Sequence, residues 1–388
     1  MAHDHTETAG ITPEEFRERQ ERVRALCREQ GWDALVAFGR AFYDRPGDVA
    51  YLTNHFPPFP TTPFYGRHRA FGYSAVVIPT DGPVILCNDG PYRQDLVVAD
   101  RVVQTGNLGQ TIAQELAAVT TPRKLGVAGL DVAPAALIWE FQAHLRDVEI
   151  ADASSHLWRW RMAKSPAEQI LLRTAARIAD AGLSAAIAAS EPEVPETHIC
   201  AVGTATALRA GADFVRYLRV HTGPWSEVGS RWPQATRRVV EEGDIVYLDI
   251  IGAFRGYQFD VLRTTVAGTA TKEVTALLEA TLNALMAALE AVKPGAVAAD
   301  LYRAMKRSAV RDGFGDHLGP FAGHGIGLDT VEPPFITAED ETVLCEGMVL
   351  CIEPKLVLPG VGGASIEYEV IVTSAGPEVI TELPGRQW

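Results

Sequence analysis

The chain has 388 residues, 47% of them hydrophobic and 22% charged, with a formal net charge of −14. That length predicts a soluble globular protein of two domains, not one ordinary core. The acidity, the lack of any run of five or six Lys/Arg residues and the lack of about 18 consecutive apolar residues argue against a nucleic-acid partner and a membrane span.

The opening residues MAHDHTETAG carry no basic segment followed by an apolar one, so a cytoplasmic location is expected. Thr12-Pro13-Glu14-Glu15 supplies a cap, a proline at the first helical position and a glutamate three after the cap, predicting a helix over 13 to 30. Short apolar runs at 34–38, 74–79 and 84–87 and a helical pattern at 133–146 make the first ~155 residues a mixed α/β domain. A second cap, Ser165-Pro166-Ala167-Glu168, opens a long helix to about residue 190 just after the Trp-rich segment 157–162. The domain boundary is therefore drawn between 158 and 159. Helices are predicted near 195–209, 272–292 and 297–312, with strands near 245–251, 258–267, 348–357 and 365–373. Strands on either side of a helical middle give an α+β class for 159–388. Five cysteines at wide spacings, with no C-x-x-C, indicate reduced, mostly buried thiols.

Carboxylates stand out in these strands. Asp249 closes the apolar run 246–248 and Asp260 lies beyond the turn Phe254-Arg255-Gly256. If that turn centres on Phe254 and Arg255, the two aspartates are cross-strand partners. Glu353 and Glu367 lie symmetrically about Gly360, so a second hairpin presents two more carboxylates. Like charges facing each other in a sheet are destabilising, more so among Ile250, Ile352 and Ile366, and a cation is the simplest compensation. His324 lies in Gly323-His324-Gly325-Ile326-Gly327, whose glycines let the backbone pass close to a neighbour. One imidazole with four carboxylates suits Mn, Fe, Co or Zn, and two such ions ~3.5–4 Å apart can share bridging carboxylates.

With these residues the chain resembles the creatinase/prolidase/methionine aminopeptidase family, the pita-bread metallohydrolases. The matching segments are 243–249, 256–260 with Arg263-Thr264, 323–328 with Glu332-Pro333-Pro334, 346–348 leading to Glu353-Pro354, and Ile366-Glu367. The resemblance implies a creatinase-like N-terminal α/β domain (1–158), a pita-bread catalytic domain (159–388) and a homodimer. It implies two divalent ions, manganese first, with cobalt, zinc or iron as alternatives, held by Asp249, Asp260, His324, Glu353 and Glu367. Glu353 would be both ligand and catalytic base toward the attacking water.

Three positions depart from the peptidase pattern. Val331 stands where a histidine usually follows the metal-binding one by seven residues, the stretch 222–232 lacks a second histidine, and Ser365 replaces the arginine two before the last glutamate. His221 and Trp225 at that stretch, with Tyr65 and Arg67 in a segment similar to a creatinase substrate loop, are the substrate-binding candidates. Arg67 would take a substrate carboxylate bidentately. The expected activity is a dinuclear-metal hydrolase resembling Xaa-Pro aminopeptidase and prolidase, acting on a small peptide. The alternative is a member of the same fold acting on a small zwitterion, as ectoine hydrolase, creatinase and dimethylsulfoniopropionate lyase do.

Overall fold

The computed structural model describes residues 11–58, 72–229 and 231–388. The chain divides into two compact units, Met1–Arg161 and Met162–Trp388.

The first unit holds helices α1 (Pro13–Gln30), α2 (Gly47–Thr53), α3 (Leu108–Val119), α4 (Ala135–Ala143) and α5 (Ser154–Met162). Its strands are β1 (Ala34–Arg40), β2 (Tyr73–Pro79), β3 (Ile85–Asn88), β4 (Arg101–Gln104), β5 (Lys124–Ala128) and β6 (Glu149–Asp152), in the order β4-β3-β2-β1-β5-β6. The sheet is mixed: β2 pairs antiparallel with β1 and β3, whereas β1/β5, β5/β6 and β3/β4 run parallel. β1 and β2 are buried on both faces, which is why they read as continuous apolar runs. The Thr12 hydroxyl accepts from Glu15 N, as the capping sequence predicts. α5 runs across the boundary expected at 158/159, and its Arg161 pairs with Asp48 of α2 at 2.7 Å.

The second unit begins with α6 (Pro166–Ala188), opened by a complete Ser165/Glu168 capping box, and α7 (Glu196–Arg209). They pack on an antiparallel sheet of β7 (Phe214–Thr222), β8 (Ile245–Phe254) and β9 (Tyr257–Val266), burying Leu183, Ile199, Leu218, Leu248, Ile250 and Phe259. A 3-10 turn, Gly223–Glu227, follows β7. α8 (Lys272–Ala291) and α9 (Ala298–Arg311) cover a second sheet in the order β11-β10-β12-β15-β16. Its strands are β10 (Phe321–Gly325), β11 (Glu332–Thr337), β12 (Val349–Ile352), β15 (Tyr368–Thr373) and β16 (Gly376–Val379); β13 (Lys355–Leu358) and β14 (Gly362–Ser365) form a separate hairpin. α8 is long and apolar enough to cross a membrane by composition, but half of that stretch is buried as core.

Two registers set the site. Phe254 pairs with Tyr257, so the β8–β9 turn centres on Arg255 and Gly256, with φ of 49° and 80°. A two-residue hairpin turn of this kind needs two positive φ values, and Gly256 supplies the cheaper one. Asp249 therefore faces Leu262 and Asp260 faces Ile251. This corrects the direct cross-strand pairing considered above: the aspartates are diagonal neighbours on one face. The expected strands at 348–357 and 365–373 are each broken in two. Ile352 pairs with Tyr368 and Lys355 with Ser365, so Glu353 and Glu367 sit opposite one another at the gap. There Glu353 N donates to Ala322 O and Glu367 N to Leu262 O, diverting both strands to β10 and β9.

Candidate metal centre

Five side chains converge where β8, β9, β10 and the β12–β15 gap meet. Oxygens of Asp249, Asp260 and Glu367 lie within 4.8 Å of one another, as do donor atoms of His324, Cys351 and Glu367. His324 Nε2 is 3.5 Å from Glu353 Oε1 and 3.7 Å from Asp260 Oδ2.

Hydrogen bonding leaves this cluster short of donors. Glu367 is fully buried, and among the described residues neither of its oxygens has an N–H or O–H donor, only the weak thiol of Cys351 nearby; Asp249 Oδ1 has no hydrogen-bond partner among them either. A buried, uncompensated carboxylate is costly, and a cation is what such a set accepts. His324 Nδ1 lies 2.9 Å from Gly325 O. A carbonyl only accepts, so Nδ1 carries the hydrogen and the Nε2 lone pair faces the carboxylates, as a metal-ligating imidazole does. Gly323 brings the strands together here: a Cβ on it would lie 2.2 Å from Cys351 O.

Titration follows the same logic. Burial, then the charges of Asp249, Glu353 and Glu369, pushes Asp260 well above the carboxylate range. Burial, then Asp260 and Glu353, does the same to Glu367. Glu353 is raised to about 8 by burial and then Asp249. Burial lowers His324 to about 4 and keeps it neutral. Asp249 is raised by burial, with Arg219 opposing. These directions describe a centre that sheds protons when it takes cations.

Several of its residues give no sequence signal of their own. Arg219 on β7 donates through Nη1 to Asp249 Oδ2 at 2.5 Å and through Nη2 to the Tyr217 hydroxyl at 2.6 Å, with its guanidinium 4.1 Å from the Tyr217 ring. Glu369, fully buried, accepts from Asp260 N at 2.9 Å and fixes that strand. Cys351 pairs with His324 across β12/β10, and its thiol is held neutral by burial and by the charge of Glu367. Lys355 lies over the Tyr247 ring, its ammonium 5.1 Å from the centroid. Beneath the centre, buried Arg263 donates to the carbonyls of Leu262, Glu367, Leu383 and Pro384.

The other candidates are placed differently. His221 is buried and stacks on Tyr247 at 6.3 Å. Trp225 is exposed, and the Arg231 guanidinium lies 3.4 Å from its ring centroid. Val331 is exposed, and Ser365 is buried with its hydroxyl donating to Pro354 O. Tyr65 and Arg67 lie outside the described residues.

Comparison with known proteins agrees with this geometry. The profile of metallopeptidase family M24 matches residues 170–374. Over 222 residues the chain is 30% identical to the Xaa-Pro dipeptidase of Pyrococcus horikoshii, covering 57% of this chain and 63% of that one. Over 148 residues it is 37% identical to the Xaa-Pro dipeptidase of Pyrococcus furiosus, covering 38% and 42%. Both matches thus span less than two-thirds of the relative. A prolidase structure from Pyrococcus horikoshii superposes with a TM-score of 0.83 over 96% of this chain and all of the other, at 23% identity. The Xaa-Pro dipeptidase structure from Bacillus anthracis gives 0.81 over 96% and 99%, at 26% identity. The fold is the α+β pita-bread arrangement.

Proposed function

The chain belongs to metallopeptidase family M24, and from that premise we propose that it is a metal-dependent Xaa-Pro peptidase that hydrolyses small peptides. The observation that carries the reading is Glu367: a fully buried glutamate, both oxygens without an N–H or O–H donor among the described residues, facing Asp249 and Asp260. We assign Asp249, Asp260, His324, Glu353 and Glu367 as the metal ligands. Two divalent ions, manganese first, fit that set; in bound form they would acidify water and polarise the scissile carbonyl.

The chain's own groups do the rest. Asp260 and Glu367 each stand close to other members of the set, Glu367 to Asp249 and to His324, and Asp260 to Asp249 and to His324, so both would help hold the ions. Arg219 holds Asp249 in one rotamer, and Glu369 holds the Asp260 backbone. Glu353 is the ligand with an open side, its side chain 23% exposed. It accepts the proton of the attacking water and returns it to the leaving nitrogen. The names of the relatives support a peptide over a small zwitterion as substrate. We extend the reading to a cytoplasmic homodimer with a creatinase-like first unit, in which Tyr65, Arg67, His221 and Trp225 serve the substrate side.

The test is turnover of Xaa-Pro dipeptides by the manganese-loaded protein, with chelated protein and Asp260→Ala as controls. Metal-dependent release of proline is expected. Inert dipeptides beside turnover of creatine, ectoine or dimethylsulfoniopropionate would overturn the reading.

A further inference from the structure

Two cations stand at the acidic centre, and they are held differently. Arg219 is committed to Asp249 and Tyr217. Among the described residues the Lys355 ammonium makes no ion pair within 4.0 Å and no hydrogen bond; it lies over the Tyr247 ring and feels the charges of Asp249 and Glu353 only at longer range. It is partly open to solvent, as is Glu353 two residues earlier, while the residues between and around them are buried. Residues two apart in extended chain project to the same face, so Lys355 stands on the side from which Glu353 is reached.

Neighbouring residues keep this ammonium clear. Lys355 pairs directly with Ser365 across the β13–β14 hairpin. Ser365 is small and turns its hydroxyl to Pro354 O, so it gives that face neither charge nor bulk. The segment after the 3-10 turn packs closely on the other side: a Cβ on Gly229 would lie 2.5 Å from Lys355 Nζ and 2.7 Å from the Tyr247 hydroxyl, so any larger residue there would crowd the ammonium.

Charge balance shows what this ammonium is for. The carboxylates of Asp249, Asp260, Glu353 and Glu367 are matched by two divalent ions, and His324 is neutral. The loaded centre would then keep the charges of Arg219, held by Asp249, and of Lys355, which rests on the Tyr247 ring without a carboxylate of its own among the described residues. A partly desolvated ammonium beside a neutralised centre takes an anion.

We propose that Lys355 is a substrate-binding residue whose ammonium takes the free C-terminal carboxylate of a dipeptide next to the scissile bond, which makes the enzyme a dipeptidase. This rests on the peptidase reading above. In a dipeptide the carboxylate is carried by the residue directly after the scissile bond, within a lysine's reach of the centre, whereas a longer peptide presents a neutral amide there. The cationic contact thus selects for chain length.

The test compares Lys355→Met and Lys355→Arg with the parent, all manganese-loaded and with metal content measured. Substrates are an Xaa-Pro dipeptide and the same dipeptide amide; binding of L-proline and L-prolinamide is read by calorimetry. The parent is expected to favour the acid by about tenfold or more, a contact of the charged-hydrogen-bond class. Lys355→Met should lose that preference through KM, bind proline at least tenfold more weakly and leave prolinamide and the amide substrate within twofold, and Lys355→Arg should restore it. Equal losses for acid and amide, or none for either, would overturn the proposal. If the parent cleaves no Xaa-Pro compound but Lys355→Met still loses proline selectively, the peptidase reading fails and the carboxylate site stands.

Discussion

The first unit and the metal centre of the second bury charge in opposite ways. In the first, buried cations meet carbonyls or carboxylates: Arg19 donates to Tyr51 O, Arg24 to Pro79 O and Gly82 O, and Arg161 to Asp48. In the second, buried anions face each other, and Glu367 finds no N–H or O–H donor among the described residues. One arrangement completes hydrogen bonds and holds a fold. The other is costly until a ligand arrives, as expected where function is placed against stability.

Substitutions can break that contrast. Glu367→Gln is expected to lower activity by about 10³-fold or more, given the several kcal/mol that metal-assisted catalysis supplies, while raising the melting temperature of the metal-free protein. A lower metal-free melting temperature would show that the carboxylate is satisfied in a way the contrast denies. Asp48→Ala should do the reverse, costing about 3 kcal/mol or more in denaturant unfolding because it removes a buried carboxylate that a buried guanidinium donates to, with manganese affinity within twofold. A parallel loss of metal would remove the distinction between the units. Arg219→Leu should weaken manganese binding about 10- to 100-fold, the usual effect of losing a group that orients a ligand, without a comparable loss of stability.

The smallest effect is in pH. Glu353 has a folded pKa of about 8, above the 4.5 of the free side chain. The metal-free native state therefore holds a proton that the unfolded chain releases, and this group's contribution to stability grows as pH falls from about 8 toward 4.5. The difference in melting temperature between pH 6 and pH 8 in chelator should accordingly shrink in Glu353→Gln. An unchanged difference would mean that the carboxyl is not strained in the absence of metal.

The same contrast decides what was legible in the sequence. Asp249, Asp260, His324, Glu353 and Glu367 stood out because each interrupts an apolar strand or a glycine run, and the symmetry of Glu353 and Glu367 about Gly360 is the observed register. The spacing of Asp249 and Asp260 was legible but their register was not, because the turn type, not the midpoint of the sequence, sets it. Arg219 stayed hidden because β7 mixes Arg216, Tyr217, Arg219 and His221 with apolar residues and shows no clean alternation. Lys355 reads as an ordinary surface lysine after Glu-Pro; only the hairpin brings it opposite Ser365. In the first unit α2, α3, α5, β4, β5 and β6 were not foreseen; β4 and β6 are short and half-exposed and carry little periodicity, whereas the buried face of α3 at Leu108, Ile112 and Leu116 was a signal left unread.

Arg263 gives the centre a place in the order of synthesis. Its guanidinium satisfies Glu367 O only while also holding Leu383 O and Pro384 O, more than a hundred residues further along. The strand bearing Glu367 is thus fastened from below by chain that leaves the ribosome after every metal ligand. A nascent chain halted before residue 383 is expected to have its helices and both hairpins but no fixed Glu367, so the centre would acquire its metal only as the last stretch emerges.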